Sequence, residues 1–116
     1  MPQFLYRVRP ARPEFFGGPT ADEEAAVGEH FTYLEDLTRR RIVLLAGRTL
    51  NADPSTFGIV IFETSSDAAA KDLMARDPAV RAGVFSADLF PYRIALASPR
   101  VLDLAPPQGT QSQGQI

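Results

Sequence analysis

The patterning of this chain predicts an α+β fold, a sandwich with the ferredoxin-like element order β-α-β-β-α-β. Three observations carry that expectation. A capped amphipathic helix spans Ala21–Arg41, with one strand pattern before it and two after it. A shorter helix pattern, Thr64–Arg76, then leads into a last strand pattern. Split βαβ units in this order give a four-stranded antiparallel sheet with both helices on one face.

Gln3–Arg9 alternates, with Phe4, Tyr6 and Val8 on one side and Leu5, Arg7 and Arg9 on the other, so it reads as a strand. Pro10 stops it, since proline donates nothing to a ladder. Arg12–Pro19 is a loop, bracketed by Pro13 and Pro19 and loosened by Gly17-Gly18. Phe15 and Phe16 within it either cover the edge of the core or line a pocket mouth or a dimer contact. Thr20 and Glu23 have the spacing of a capping box, and Asp22, Glu23 and Glu24 suit the positive end of the helix that follows. Val27, Phe31, Leu34 and Leu37 form the apolar stripe of that helix, and His30 lies on the same side. Arg39, Arg40 and Arg41 close its last turn, as a solvated end rather than an anion site.

Ile42–Ala46 is a continuous apolar run, which predicts a strand buried on both faces or placed at a dimer interface. Asn51–Ser55 has turn chemistry, and Phe57–Glu63 is a strand rich in β-branched and aromatic residues. In the second helix, Ser65 or Ser66 is the cap, and Ala69, Ala70, Leu73 and Met74 form the inner side. Asp77-Pro78 ends it, because the residue before proline is pushed out of the α region. Ala79–Gly83 reads as a link. Val84–Ala97 holds a long or broken strand, with Pro91 allowed only at an edge or bulge.

A single domain over residues 1–104 is expected, followed by a flexible tail at 105–116 that is rich in Pro, Gly, Gln and Ser. The outer face of the sheet would be apolar and bare. Packing sheet against sheet in a homodimer is the simplest way to cover it. A net charge of −2 argues against nucleic acid and against an anionic membrane surface as partners, and no apolar run approaches a membrane span. The absence of cysteine fits a reducing cytoplasm.

His30 is the only histidine in the chain. It is either a neutral core residue bonded to a main-chain carbonyl or a general acid–base, since imidazole titrates near pH 6.5. Asp77 is either a turn residue before proline or the carboxylate that orients that imidazole. Tyr33 and Tyr6 offer phenol donors, and Ser86 offers a hydroxyl. One histidine, no cysteine and scattered carboxylates provide no usual metal shell, so no metal is expected. No serine or cysteine nucleophile motif and no phosphate loop occurs.

The segments GEHFTYLEDL, IVLLAGRTL, FGIVIFET, RDPAVRAGVF and FPYRIAL, in this order, resemble the YCII-related (YciI-like) family over roughly Gln3–Leu96. His30-x-x-Tyr33-Leu34, Ala46-Gly47 and Asp77-Pro78 carry the resemblance. It implies a dimeric α+β barrel and a His–Asp dyad in a pocket, with His30 and Asp77 at the dyad positions. Two departures stand out: Arg48, where many relatives have proline, and Ala79, where phenylalanine is common. The resemblance implies a small enzyme without a cofactor. It would move a proton on a cyclic or aromatic small molecule in an isomerase or lyase reaction, with Tyr33, Arg48 and Ser86 as substrate-binding candidates. The alternative is a non-catalytic dimeric module that binds a small ligand or assists a larger system. An oxygen-using monooxygenase of the same architecture would need more polar anchors in its cavity than the sequence offers.

Overall fold

The computed structural model describes residues 1–104, so the expected tail at 105–116 lies outside the described residues. Four strands form one sheet: β1 (Gln3–Pro10), β2 (Val43–Arg48), β3 (Gly58–Glu63) and β4 (Phe85–Tyr92). Their order is β2-β3-β1-β4, and every neighbouring pair is antiparallel. Helix α1 (Ala21–Arg39) links β1 to β2, and α2 (Asp67–Arg76) with the one-turn α3 (Pro78–Arg81) links β3 to β4. A last short helix, α4, spans Val101–Leu104. The order β-α-β-β-α-β and the antiparallel sheet agree with the ferredoxin-like expectation.

The capping box forms as the sequence predicts. The Thr20 hydroxyl accepts from the Glu23 amide at 3.1 Å, and the Glu23 carboxylate accepts from the Thr20 amide at 2.8 Å. The helix ends earlier than the arginine run suggests. Arg40 is its C-cap and Arg41 takes a left-handed φ of 63°. Ala26, Val27, His30, Leu34 and Leu37 are buried against the sheet, whereas Phe31 is only half-buried. They meet Phe4, Tyr6, Val8, Val43, Val60 and Phe62, the inward positions of the three strands. Area removed from water at about 25 cal/mol per Å² makes this one apolar layer the main stabilising element.

Two elements depart from expectation for physical reasons. Ile42–Ala46 is not buried on both faces within the single chain. Strand β2 is an edge strand with a bulge between Val43 and Leu45, and Leu44 and Leu45 are exposed. Ala79–Gly83 is not a plain link either. The Asp77-Pro78 step that stops α2 also starts α3, with Asp77 as N-cap and Pro78 in the first turn, where its missing N–H costs nothing. Pro91 lies on β4, the other edge strand, as proline requires.

The loop between β1 and α1 contains a 3₁₀ turn, Pro13–Gly17. Arg12 holds it to α1 through a two-pronged contact with Glu23 at 2.7 and 2.8 Å. On the uncovered side of the sheet, Leu45, Ile61, Leu5 and Phe90 stand in one register row across all four strands. Arg7 and Arg9 flank that row, and both pair with Asp88.

Candidate functional site

The period-two pattern of β1 turns Tyr6 inward. The helical period of α1 places His30 one turn after Val27 on the buried stripe. The break between α2 and α3 leaves Asp77 with φ −56° and ψ 122°, outside the helical region, so its carboxylate turns back into the core. These three side chains meet. All three residues are 0% exposed.

Three donors converge on Asp77. Tyr6 Oη donates to Oδ2 at 2.7 Å, His30 Nδ1 reaches the same oxygen at 2.6 Å, and the Ala79 amide donates to Oδ1 at 3.0 Å. A carboxylate surrounded by donors is an acceptor, so His30 carries its proton on Nδ1. In the neutral imidazole the other ring nitrogen, Nε2, then carries the lone pair. It is buried and has no hydrogen-bond partner among the described residues. An unpaired buried polar atom costs free energy, about 1–3 kcal/mol, and invites an explanation. The Phe85 ring meets the imidazole edge-to-face with centroids 5.1 Å apart.

The Tyr6 phenol is held protonated well above its ordinary range, first by burial and then by the negative charge of Asp77. Tyr33 is pushed up to about 12, again by burial first and by the Asp77 charge second. Its hydroxyl donates to the Leu73 carbonyl at 2.6 Å, one of the open carbonyls near the end of α2.

Next to the cluster lies a cleft of about 260 Å³. Val8, Val27, Phe15, Phe57 and Phe85 form its apolar walls, and Arg48, Glu24 and Thr56 are its polar residues. Phe85 belongs to both places. It walls the cleft and packs on His30. His30 itself does not line the cleft.

The expected site residues therefore divide. His30 and Asp77 come together. Arg48 lines the cleft. The Tyr33 hydroxyl is committed to Leu73. Ser86 stands across from Arg9 and is exposed, on the sheet face opposite the helices, because Phe85 before it points inward. Position by position, then, Ser86 and the Tyr33 hydroxyl are not at the cleft. Asp77 makes two kinds of contact: Oδ1 accepts from the Ala79 amide and caps α3, and Oδ2 lies 2.6 Å from His30 Nδ1. The phenol partner of Asp77 is Tyr6, and Phe85 is the aromatic neighbour of His30; no local pattern in the sequence points to either pairing. Among the described residues, no three His, Cys, Asp or Glu side chains gather as a metal shell would need.

Comparison with known proteins gives two findings. The profile of the YCII-related domain matches residues 5–91. Among solved structures, the chain is similar to the 5-chloro-2-hydroxyhydroquinone dehydrochlorinase of Burkholderia phenoliruptrix, determined in complex with 2,5-dihydroxybenzoquinone. The likeness has a TM-score of 0.55 and 24% identity, covering 78% of this chain and 93% of that one. At that identity the likeness establishes the fold. No curated protein sequence matches this chain.

Proposed function

This chain belongs to the YCII-related domain family, and from that premise we propose that it is a small enzyme that needs no cofactor and transfers a proton through His30, oriented by Asp77. The observation that carries the reading is the buried Nε2 of His30, left without a partner on an imidazole whose other nitrogen is fixed by a carboxylate. Asp77 orients the ring and offsets the positive charge that appears when Nε2 takes a proton. Tyr6 and the Ala79 amide hold the carboxylate in place.

In the proposed step the Nε2 lone pair takes a proton from an acidic carbon or hydroxyl of the substrate. The bonding electrons then move into the substrate. In an isomerisation the same proton returns at a second carbon. In an elimination the electrons form a double bond and a leaving group departs with its own pair. The dehydrochlorinase of the same fold is named for the second outcome. Positioned acid–base groups of this kind contribute about 10²–10⁴-fold.

The substrate class in this proposal is one small ring. The cleft of about 260 Å³ suits it in size, since an apolar cavity of about 150 Å³ already holds benzene. The proposal also includes a homodimer joined through the apolar row Leu45, Ile61, Leu5 and Phe90. Light scattering at micromolar concentration should give twice the chain mass, and a monomer mass would defeat the pairing. No helix among the described residues is long and apolar enough to cross a membrane. A chain without cysteine suits the cytoplasm.

One observation favours a second reading. His30 is fully buried and absent from the cleft lining, as it would be in a ligand-binding module whose polar cluster is structural. The test uses chlorinated hydroxyhydroquinones and lactones in D₂O, following chloride release and the loss of carbon-bound protons by NMR. Wild-type protein should turn over at least one compound, and His30→Gln should lose about 10²-fold or more of that rate. Compounds that bind to the wild type without exchange or release would establish the binding module instead.

A further inference from the structure

The polar groups of the cleft define its occupant more closely, on the premise that the cleft beside His30 is the substrate site. Of the arginines in the chain, Arg7, Arg9, Arg12, Arg39, Arg40 and Arg76 each have an acidic partner. Arg41, Arg48, Arg81, Arg93 and Arg100 have none among the described residues, and of these five it is Arg48, at the end of β2, that lines the cleft. A guanidinium presents a planar fork of donors that matches a carboxylate in two parallel hydrogen bonds. Its place follows from strand parity. Ala46 pairs with Val60 on the helix-covered face, so Arg48, two residues on, turns to the same side, beside Gly58. The sheet therefore supplies the positive group, and the first turn of α1 supplies Glu24, also without an ion pair among the described residues.

The same cleft is also lined by three aromatic residues, Phe15, Phe57 and Phe85. The geometry points to a single-ring aromatic monoanion as the ligand: its carboxylate or phenolate on Arg48, its ring among the phenylalanines, and a hydroxyl rather than a second charge toward Glu24. Arg48 is thus a specificity-determining residue. It selects the anionic form of the substrate. A carboxylate at Glu24's position repels a dianion.

Calorimetric titration with 4-hydroxybenzoate and its neutral isostere 4-hydroxybenzamide tests the assignment at neutral pH. Wild-type protein should bind the benzoate about two- to fivefold more tightly than the amide, the range for an exposed ion pair with good geometry. Arg48→Gln should bring the two affinities together, and Arg48→Lys should restore part of the difference. Arg48 is exposed and has no ion pair among the described residues, so these variants should fold as the wild type does. Equal affinities in the wild type, no binding of either compound at millimolar concentration, or an Arg48→Gln variant that keeps the preference would each overturn the assignment. The same titration followed by ¹⁵N NMR of the single histidine separates the two readings. An Arg48-dependent preference with an unmoved His30 signal supports the anion site and removes the proton-transfer step.

Discussion

Two carboxylates in this molecule sit in dense hydrogen-bond networks, yet they do different work. Glu23 accepts from the Thr20 amide and from two nitrogens of Arg12. Asp77 accepts from Tyr6, His30 and the Ala79 amide. The Glu23 network closes on itself: its donors reach their acceptors, and the group pins the 3₁₀ turn to the start of α1. The Asp77 network leaves one atom over, Nε2 of His30. Under the proposed reading, that spare hydrogen-bonding atom is what distinguishes the Asp77 cluster from the Glu23 cluster.

The sharpest way to break this contrast is Asp77→Ala. It strands buried donors without an acceptor, so unfolding should become easier by about 3–5 kcal/mol. For a domain of this size that corresponds to a fall in melting temperature on the order of 12 °C or more, read by calorimetry. A change of only a few degrees would show that water reaches the cluster. Tyr6→Phe comes next. It removes one donor from a charged acceptor and keeps the packing, so about 1.5–3 kcal/mol should be lost in a denaturant titration.

The Glu23 cluster should respond less. Thr20→Ala removes the hydroxyl half of the capping box, at about 1 kcal/mol. Its pH behaviour is distinctive, because the Arg12 hydrogen bond, helped by the Thr20 amide, lowers Glu23 from the ordinary 4.5 to about 2. A lowered carboxyl stabilises the fold above its unfolded value and loses that contribution as pH falls through its folded one. The melting-temperature gap between wild type and Glu23→Gln should therefore be full above pH 4.5 and close toward pH 2. A gap independent of pH would show that the Gln side chain disturbs packing rather than charge.

Much of this contrast could be read from residue order. Thr20 and Glu23 are a local pair, three residues apart, so the capping box and the start of α1 follow from the sequence alone. His30 with Asp77 came from the resemblance to a family, because no local rule joins residues 47 positions apart. Tyr6 lies 71 positions from Asp77, and only its inward parity on β1 signals a phenol that must find a partner. The exposure of β2 was hidden for a similar reason. An apolar run looks the same on a central strand as on an edge strand with an uncovered face. Ser86 fails by parity alone: beside an inward Phe85 it must face out. Phe85 had a signal only as a core residue, since its contact with the imidazole depends on how α1 crosses the sheet.

The most direct measurement is the tautomer of His30. One histidine gives one imidazole spin system, so a ¹H–¹⁵N long-range correlation spectrum at neutral pH identifies the protonated nitrogen without assignment work. A proton on Nδ1 and a bare Nε2 are expected, with Asp77→Asn moving the proton to Nε2 because the amide then donates to Nδ1. An Nε2–H imidazole in the wild type would contradict the arrangement of His30 as a proton acceptor held by Asp77.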